Sequence, residues 1–262
     1  MIEQSSEPRP RNSEARMRER FVEHLREENF VLYSQAIVAL APSSAALDFR
    51  EIFVRYKEEE QGLLPPGSFL PILEDQGLLP FLDRWVVFRL LRWCRDATSP
   101  SRQKPCCSVN LSIDTVRLDG GFGDYVLESL ARTGVPADCL SFEIPAVDAL
   151  VYKASLARMI PALRAAGCTF AISGFLGDGP AFELATSLGI TYAKLDGAFS
   201  LARPGNPQAA KLPWIIERCR DSSMLTIGTL VEDSGALARM RTSNVDYVQG
   251  FAIERPRPLY DG

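Results

Sequence analysis

The sequence predicts a single α/β barrel closed by about eight parallel strands. Three observations point there. From Pro105 onward, short apolar runs rich in β-branched residues alternate with helical patterns, the beat of right-handed βαβ units and a parallel sheet. The chain has 262 residues, 46% hydrophobic and 24% charged, which suits one large core of barrel size. Seven apolar runs finish on a polar residue, namely Glu51, Asn110, Glu143, Ser173, Lys194, Thr229 and Gln249. In a parallel barrel such strand ends converge on one pocket.

Met1–Arg16 is rich in Glu, Ser, Pro and Arg; residues 1–13 are expected to be a disordered tail, and 14–262 the folded domain. No stretch there resembles a signal peptide. Ser13–Arg26 carries Met17, Phe21 and Leu25 at four-residue spacing, an amphipathic helix. His24 is the only histidine. It lies beside that stripe with no second ligand type near it, so it reads as a surface or packing residue, and histidine acid–base chemistry is excluded.

Phe30–Leu40 and Glu51–Tyr56 are rich in β-branched and aromatic residues and predict two strands joined as a hairpin or wide loop. Lys57–Glu60 reads as a solvated acidic turn. After the turn Leu64–Gly67 come helical patterns over Ser68–Gln76 and Phe81–Arg95. Strands are then expected at Cys106–Leu111, Leu140–Ile144, Thr169–Ile172, Thr191–Leu195, Leu225–Leu230 and Tyr247–Ile253. Between them fall helices at Tyr125–Arg132, Leu150–Ala166, Pro180–Leu188, Gln208–Arg220 and Ser234–Arg241. No Gly-x-Gly-x-x-Gly or Walker loop follows any strand, which disfavours an open nucleotide-binding sheet. Trp85, Trp93 and Trp214 sit on apolar helical faces and read as core or dimer contacts.

A net charge of −4 argues against polymeric nucleic acid, which is bound through basic surface. No run reaches the roughly 18 apolar residues of a membrane span. Most of the six cysteines lie in apolar runs, without Cys-x-x-Cys spacing or accompanying histidines, and they read as buried, reduced thiols of a cytoplasmic protein. From residue types alone, Glu51, Asn110 and Glu143 form an oxygen set that hard divalent ions favour, and Lys194 offers an ammonium for a phosphate. A polar network closing the barrel mouth is the other reading of the same residues.

The order of these residues resembles the EAL domain family, the phosphodiesterases of cyclic di-GMP, from Phe30 to Pro258. Glu51-Ile52-Phe53-Val54-Arg55-Tyr56 resembles its Glu-Ala-Leu-x-Arg-Trp segment. Leu64–Pro71 with Glu74 is similar to its Pro-Pro-x-x-Phe-Ile-Pro-x-Ala-Glu pattern, and Val109-Asn110-Leu111-Ser112 repeats its Val-Asn-Leu-Ser strand unchanged. Phe142-Glu143-Ile144, Lys194-Leu195-Asp196 and Gln249-Gly250-Phe251 through Pro256 and Pro258 resemble three further motifs, with Pro145 where threonine is usual. The resemblance implies a TIM-like (βα)8 barrel of EAL type. It also implies a cyclic di-GMP pocket lined by Gln35, Glu51, Arg55, Asn110, Glu143, Lys194, Glu232 and Gln249.

The departures matter more. The family's Asp-Asp-Phe-Gly-Thr-Gly loop falls on Ser173-Gly174-Phe175-Leu176-Gly177-Asp178, and its Ala-Glu-Gly-Val-Glu strand end on Gly228-Thr229-Leu230-Val231-Glu232. The three carboxylates implied at Ser173, Gly174 and Thr229 are lost. Active relatives use Mg or Mn pairs. With Glu51, Asn110, Glu143 and Lys194 as remnants, this chain is expected to hold no metal or other cofactor and to lose activity by several orders of magnitude, because two-ion hydrolysis needs both ions. Asp178 is a poor substitute, lying four residues beyond Gly174. The expected function is a catalytically inactive cyclic di-GMP receptor or signalling adaptor with a protein partner. The alternatives are a protein-interaction module that no longer binds the dinucleotide, or a phosphodiesterase with residual activity. Family members pair through barrel-side helices, so the resemblance also implies a homodimer.

Overall fold

The computed structural model describes residues 21, 23, 29–40, 48–58, 62–97, 105–202 and 206–260. The expected tail at 1–13 and His24 lie outside them; of the Ser13–Arg26 helix only Phe21 and Glu23 are described, both helical.

The chain enters the barrel through β1 (Phe30–Ala36), which passes Ile37 into β2 (Val38–Ala39). Next come β3 (Asp48–Glu58) and β4 (Gly62–Leu64). β1 and β3 pair antiparallel with Gln35 opposite Glu51, as a hairpin-like pair requires. Lys57 and Glu58 correct the expected acidic turn: they are strand, paired with Leu63 and Gly62, while Glu59 and Glu60 lie outside the described residues. Six strands follow: β5 (Pro105–Asn110), β6 (Leu140–Pro145), β7 (Thr169–Phe175), β8 (Tyr192–Leu195), β9 (Leu225–Gly228) and β10 (Tyr247–Val248). β3 and these six run parallel in sequence order. β10 then pairs antiparallel with β2 and closes the barrel. One strand of the eight thus runs against the rest, a departure from the all-parallel reading.

β2 takes only the lower part of the seam with β10. Above it the C-terminal segment seals the gap: Ala36 N–H donates to the Glu254 carboxylate at 2.8 Å, the Gln35 amide donates to the Glu254 carbonyl at 2.7 Å, and β11 (Arg257–Pro258) pairs with β1. The last run is therefore strand only over two residues, because the chain turns back at Gly250 to supply this seal.

After β4 the described residues form the α-helices α1 (Pro66–Asp75), α2 (Leu79–Ala97), α3 (Ile113–Leu118), α4 (Phe122–Thr133), α5 (Ala146–Val151), α6 (Lys153–Ala166), α7 (Gly179–Leu188), α8 (Gly197–Leu201), α9 (Pro207–Asp221) and α10 (Ser234–Thr242), with a 3-10 turn at Ala137–Cys139. The helix expected over Leu150–Ala166 is two, interrupted at Tyr152. Ser112, Asp178, Asp196, Asn206 and Asp233 each accept a backbone N–H at a helix start, satisfying donors that the first turn leaves open. Asp178 is thereby committed to capping α7. Asp83 of α2 accepts from Ser112 N–H and the Thr115 hydroxyl at 2.9 and 2.6 Å, which fixes the turn after Asn110. Burial pushes its carboxyl up to about 6 despite those donors.

Two apolar layers hold the fold. The larger lies between sheet and helices and includes Phe122, Phe142, Phe170, Leu90 and Leu156. Trp85 and Trp93 pack against it, whereas Trp214 is 53% exposed on α9, edge-on to Phe182. The smaller fills the barrel: Ile37, Phe49, Cys106, Ala171, Tyr192, Ile227 and Tyr247, with the Phe49 and Tyr192 rings 5.0 Å apart. All six cysteines are buried and none forms a disulfide. Among the described residues no helix is long and apolar enough to cross a membrane.

Candidate functional site

Side chains two apart on a strand face the same way. Each step of two above the apolar plug therefore lands on a polar residue. Phe49 leads to Glu51, Cys106 to Ser108, Ala171 to Ser173, Tyr192 to Lys194, Ile227 to Thr229 and Tyr247 to Gln249; on antiparallel β1, Ile37 leads back to Gln35. Glu143 joins from β6. These polar residues separate the plug from a cavity of about 430 Å³ lined by Gln35, Glu51, Glu143, Ser173, Lys194, Thr229, Glu232 and Gln249, among others.

Lys194 is its centre. The ammonium donates to Glu51 Oε2 at 2.6 Å and to Glu143 Oε2 at 2.7 Å, and all three residues are 5% exposed. Asn110 donates to the other Glu51 oxygen at 2.9 Å. Gln249 donates to Glu51 Oε2 at 2.7 Å and to Gln35 Oε1 at 3.0 Å. Gln35 is itself held by the Glu254 seal.

Charge is distributed unevenly over this group. Burial raises the Glu51 carboxyl, but the Lys194 charge and the donations from Lys194, Asn110 and Gln249 outweigh it, and the group ends below the usual carboxylate range. At Glu143 burial, joined by the Glu51 charge, outweighs Lys194, and the carboxyl ends above that range. Burial works against the Lys194 ammonium, yet the two carboxylates hold it above the ordinary lysine value.

The positions read from sequence as lost ligands are all at the cavity. Ser173 and Gly174 line it, the serine hydroxyl beside Glu143. Thr229 donates its hydroxyl to the Leu195 carbonyl at 2.8 Å. Among the described residues no group of three or more His, Cys, Asp or Glu side chains is placed to hold a metal ion.

Two expected pocket residues are placed differently. Asn110 acts through Glu51 and is not among the lining residues; Arg55 is also absent from the lining, its guanidinium stacking over Tyr33 and Phe53 at 5.5 and 5.6 Å. Glu51 is not a strand end but the fourth residue of an eleven-residue strand.

Reading the sequence missed the apolar wall: Phe53, Leu230, Phe251 and Pro256 line the same cavity. Phe53 and Phe251 were findable, each standing two residues after a polar site position. Leu230 was not. It carries φ +52°, a left-handed conformation that costs a non-glycine residue about 1–2 kcal/mol.

Gly250 shows the opposite case, a glycine that contact demands. A Cβ there would overlap the backbone N, C and O of Val231, whose N–H and C=O bond to Gln249 and Ala252. Gly250→Ala is expected to cost about 3 kcal/mol and to lower the melting temperature by roughly 6–10 °C. A calorimetric melt within 2 °C of wild type would show that the two segments part easily.

Comparisons with known proteins agree with this architecture. The EAL domain profile matches residues 18–256. Over 241 residues the chain is 28% identical to the cyclic di-GMP phosphodiesterase PdeB of Shewanella oneidensis, covering 92% of this chain and 28% of that protein. Over 248 residues it is 27% identical to the cyclic di-GMP phosphodiesterase PdeF of Escherichia coli, covering 94% and 32%. The chain thus spans about a third of the length of these curated relatives. The crystal structure of the FimX EAL domain from Pseudomonas aeruginosa bound to c-di-GMP matches with a TM-score of 0.83 at 22% identity, over 92% of this chain and 95% of that one. The PaMucR phosphodiesterase in complex with c-di-GMP matches at 0.81 and 24%, over 93% and 98%. At these identities the likeness establishes a shared fold.

Proposed function

Since the chain belongs to the EAL domain family, we propose that it is a silent member: it takes up cyclic di-GMP without hydrolysing it and signals occupancy to a protein partner. One observation carries this reading. The three cavity positions where the family resemblance implies carboxylates hold Ser173, Gly174 and Thr229, while the two glutamates that remain share a single lysine.

A divalent pair does not fit such a donor set. Each ion must trade tightly held water for anionic oxygen, and here Glu51 and Glu143 each give an oxygen to Lys194, the Asn110 amide nitrogen faces Glu51, and the Thr229 hydroxyl is turned to a carbonyl. Hydrolysis of this kind needs two ions to stabilise the attacking and leaving oxygens. Binding needs neither. A cavity with a polar floor and an apolar wall suits a ligand that carries both phosphates and flat rings, and cyclic di-GMP occupies the FimX EAL domain and PaMucR phosphodiesterase structures.

A second reading, a protein-interaction module that has lost the ligand, is favoured by the surplus of one carboxylate over lysine in the buried group, since net negative charge there repels a phosphodiester. A homodimer and a protein partner belong to either reading. Titration calorimetry with cyclic di-GMP separates them: micromolar binding, equal with Mg²⁺ and with chelator, is expected. No heat at high-micromolar ligand would leave only the module.

A further inference from the structure

We propose that Leu230 contacts the ligand and helps set its specificity, presenting an isobutyl group on the cavity wall as a platform for the planar ring of a nucleobase. This inference rests on the receptor reading above.

The backbone argues first. Leu230 adopts φ +52°, where the side chain crowds the following carbonyl and only glycine, asparagine or aspartate is at ease. The family pattern that this segment resembles has glycine at that point, so the strain belongs to this chain's own residue. Burial does not offset it, because Leu230 remains 49% exposed. The conformation persists because its surroundings dictate it: Thr229 is tied to the Leu195 carbonyl at 2.8 Å and Val231 N–H to the Gln249 carbonyl at 3.0 Å. Strain of this kind, held in place by neighbours, gathers where a side chain must be presented.

The space around it argues second. Gly197 lies directly beneath, and a Cβ on it would overlap the Leu230 side chain. A residue without a side chain thus seats one that projects into the cavity. Phe53 and Phe251 line the same cavity, and Phe251 is 48% exposed. Three apolar groups above a floor of glutamate, lysine and amide form the two-sided surface that an aromatic ring bearing polar edges would fill.

Leu230→Ala keeps the backbone conformation and removes the platform; Leu230→Gly removes the platform and the strain together. Calorimetric titration of both variants and of wild type with cyclic di-GMP, beside thermal melts, tests the proposal. Both variants are expected to bind about tenfold more weakly, and the glycine variant to melt a few degrees above the alanine variant. A wild-type chain that gives no heat overturns the receptor reading and this inference with it. A wild type that binds while both variants match or exceed its affinity overturns the inference alone, and an alanine variant that melts above the glycine one removes the strain on which it stands.

Discussion

Replacing Lys194 by methionine is expected to lower stability at pH 7 by about 3–5 kcal/mol, the usual result of stripping one partner from a buried ion group. The melting temperature then falls by roughly 10 °C for a domain of this size. Methionine keeps the volume and loses the ammonium, so Glu51 and Glu143 face each other with no cation between them. Burial and mutual repulsion then raise both carboxyls above the unfolded value of 4.5. A carboxyl whose folded pKa is raised binds more protons folded than unfolded, so the variant loses stability as pH climbs from 4.5 toward the raised folded value. Wild-type Glu51 has the opposite sign. Its folded pKa is lowered, so its contribution is present above 4.5 and is lost as pH falls through the folded value. The gap between the two proteins should therefore be small at pH 4 and widest near neutrality. Chemical denaturation at pH 4, 5.5 and 7 measures it. A gap of constant size across that range would mean that Lys194 contributes packing and not charge.

Much of this site was legible because strands have a period of two. Glu51, Glu143, Lys194 and Gln249 could be named from sequence as the polar ends of apolar runs, and Gln35 from the family resemblance; the five do meet around one ammonium and one amide. Period alone says nothing about height. Arg55 shares a strand face with Glu51 but stands four residues further along β3, about 13 Å at the usual strand rise, and so it lies beyond the lining of the cavity. The role of Lys194 was also open to only half a reading. Sequence offered it as a partner for a phosphate, whereas the fold commits its ammonium to two glutamates.

Elements that left no periodic trace were missed for a different reason. α3 and α8 have six and five residues, too few for a helical repeat to be distinguished from chance. Their starts are marked only by Ser112 and Asp196, residues already claimed by strand-end motifs. The antiparallel course of β1 follows from a hairpin, which sequence did announce. Closure by β2 on β10 depends on contacts between residues some two hundred positions apart, and no local pattern encodes them. Leu230 belongs with these: leucine is no turn signal, and its left-handed backbone arises from the hydrogen bonds on either side.

Restoring the three absent carboxylates should move activity further than any other change. The triple variant Ser173→Asp, Gly174→Asp, Thr229→Glu is expected to convert cyclic di-GMP to the linear dinucleotide, in Mg²⁺ or Mn²⁺, at a rate at least about 100-fold above wild type. Wild type itself should not exceed a Glu51→Ala control. The site can accept these groups. At Gly174, φ is +62° and a Cβ meets nothing within 4 Å, and aspartate is among the few residues that tolerate the left-handed region. Thr229→Glu gives up only the bond to the Leu195 carbonyl. Electrostatics supplies a second readout that does not depend on turnover. Three further anions beside Glu51 and Glu143 leave Lys194 heavily outnumbered, so the metal-free variant should melt well below wild type and recover as divalent ion is added, since an ion bound only by the folded state stabilises it by mass action. Wild type should show no such rise. If the variant gains ion-dependent stability without turnover, the lost ligands are not the whole reason for silence, and Leu230 on the same cavity wall is the next residue to return to glycine. If it gains neither, Ser173, Gly174 and Thr229 do not mark a vacated ion site.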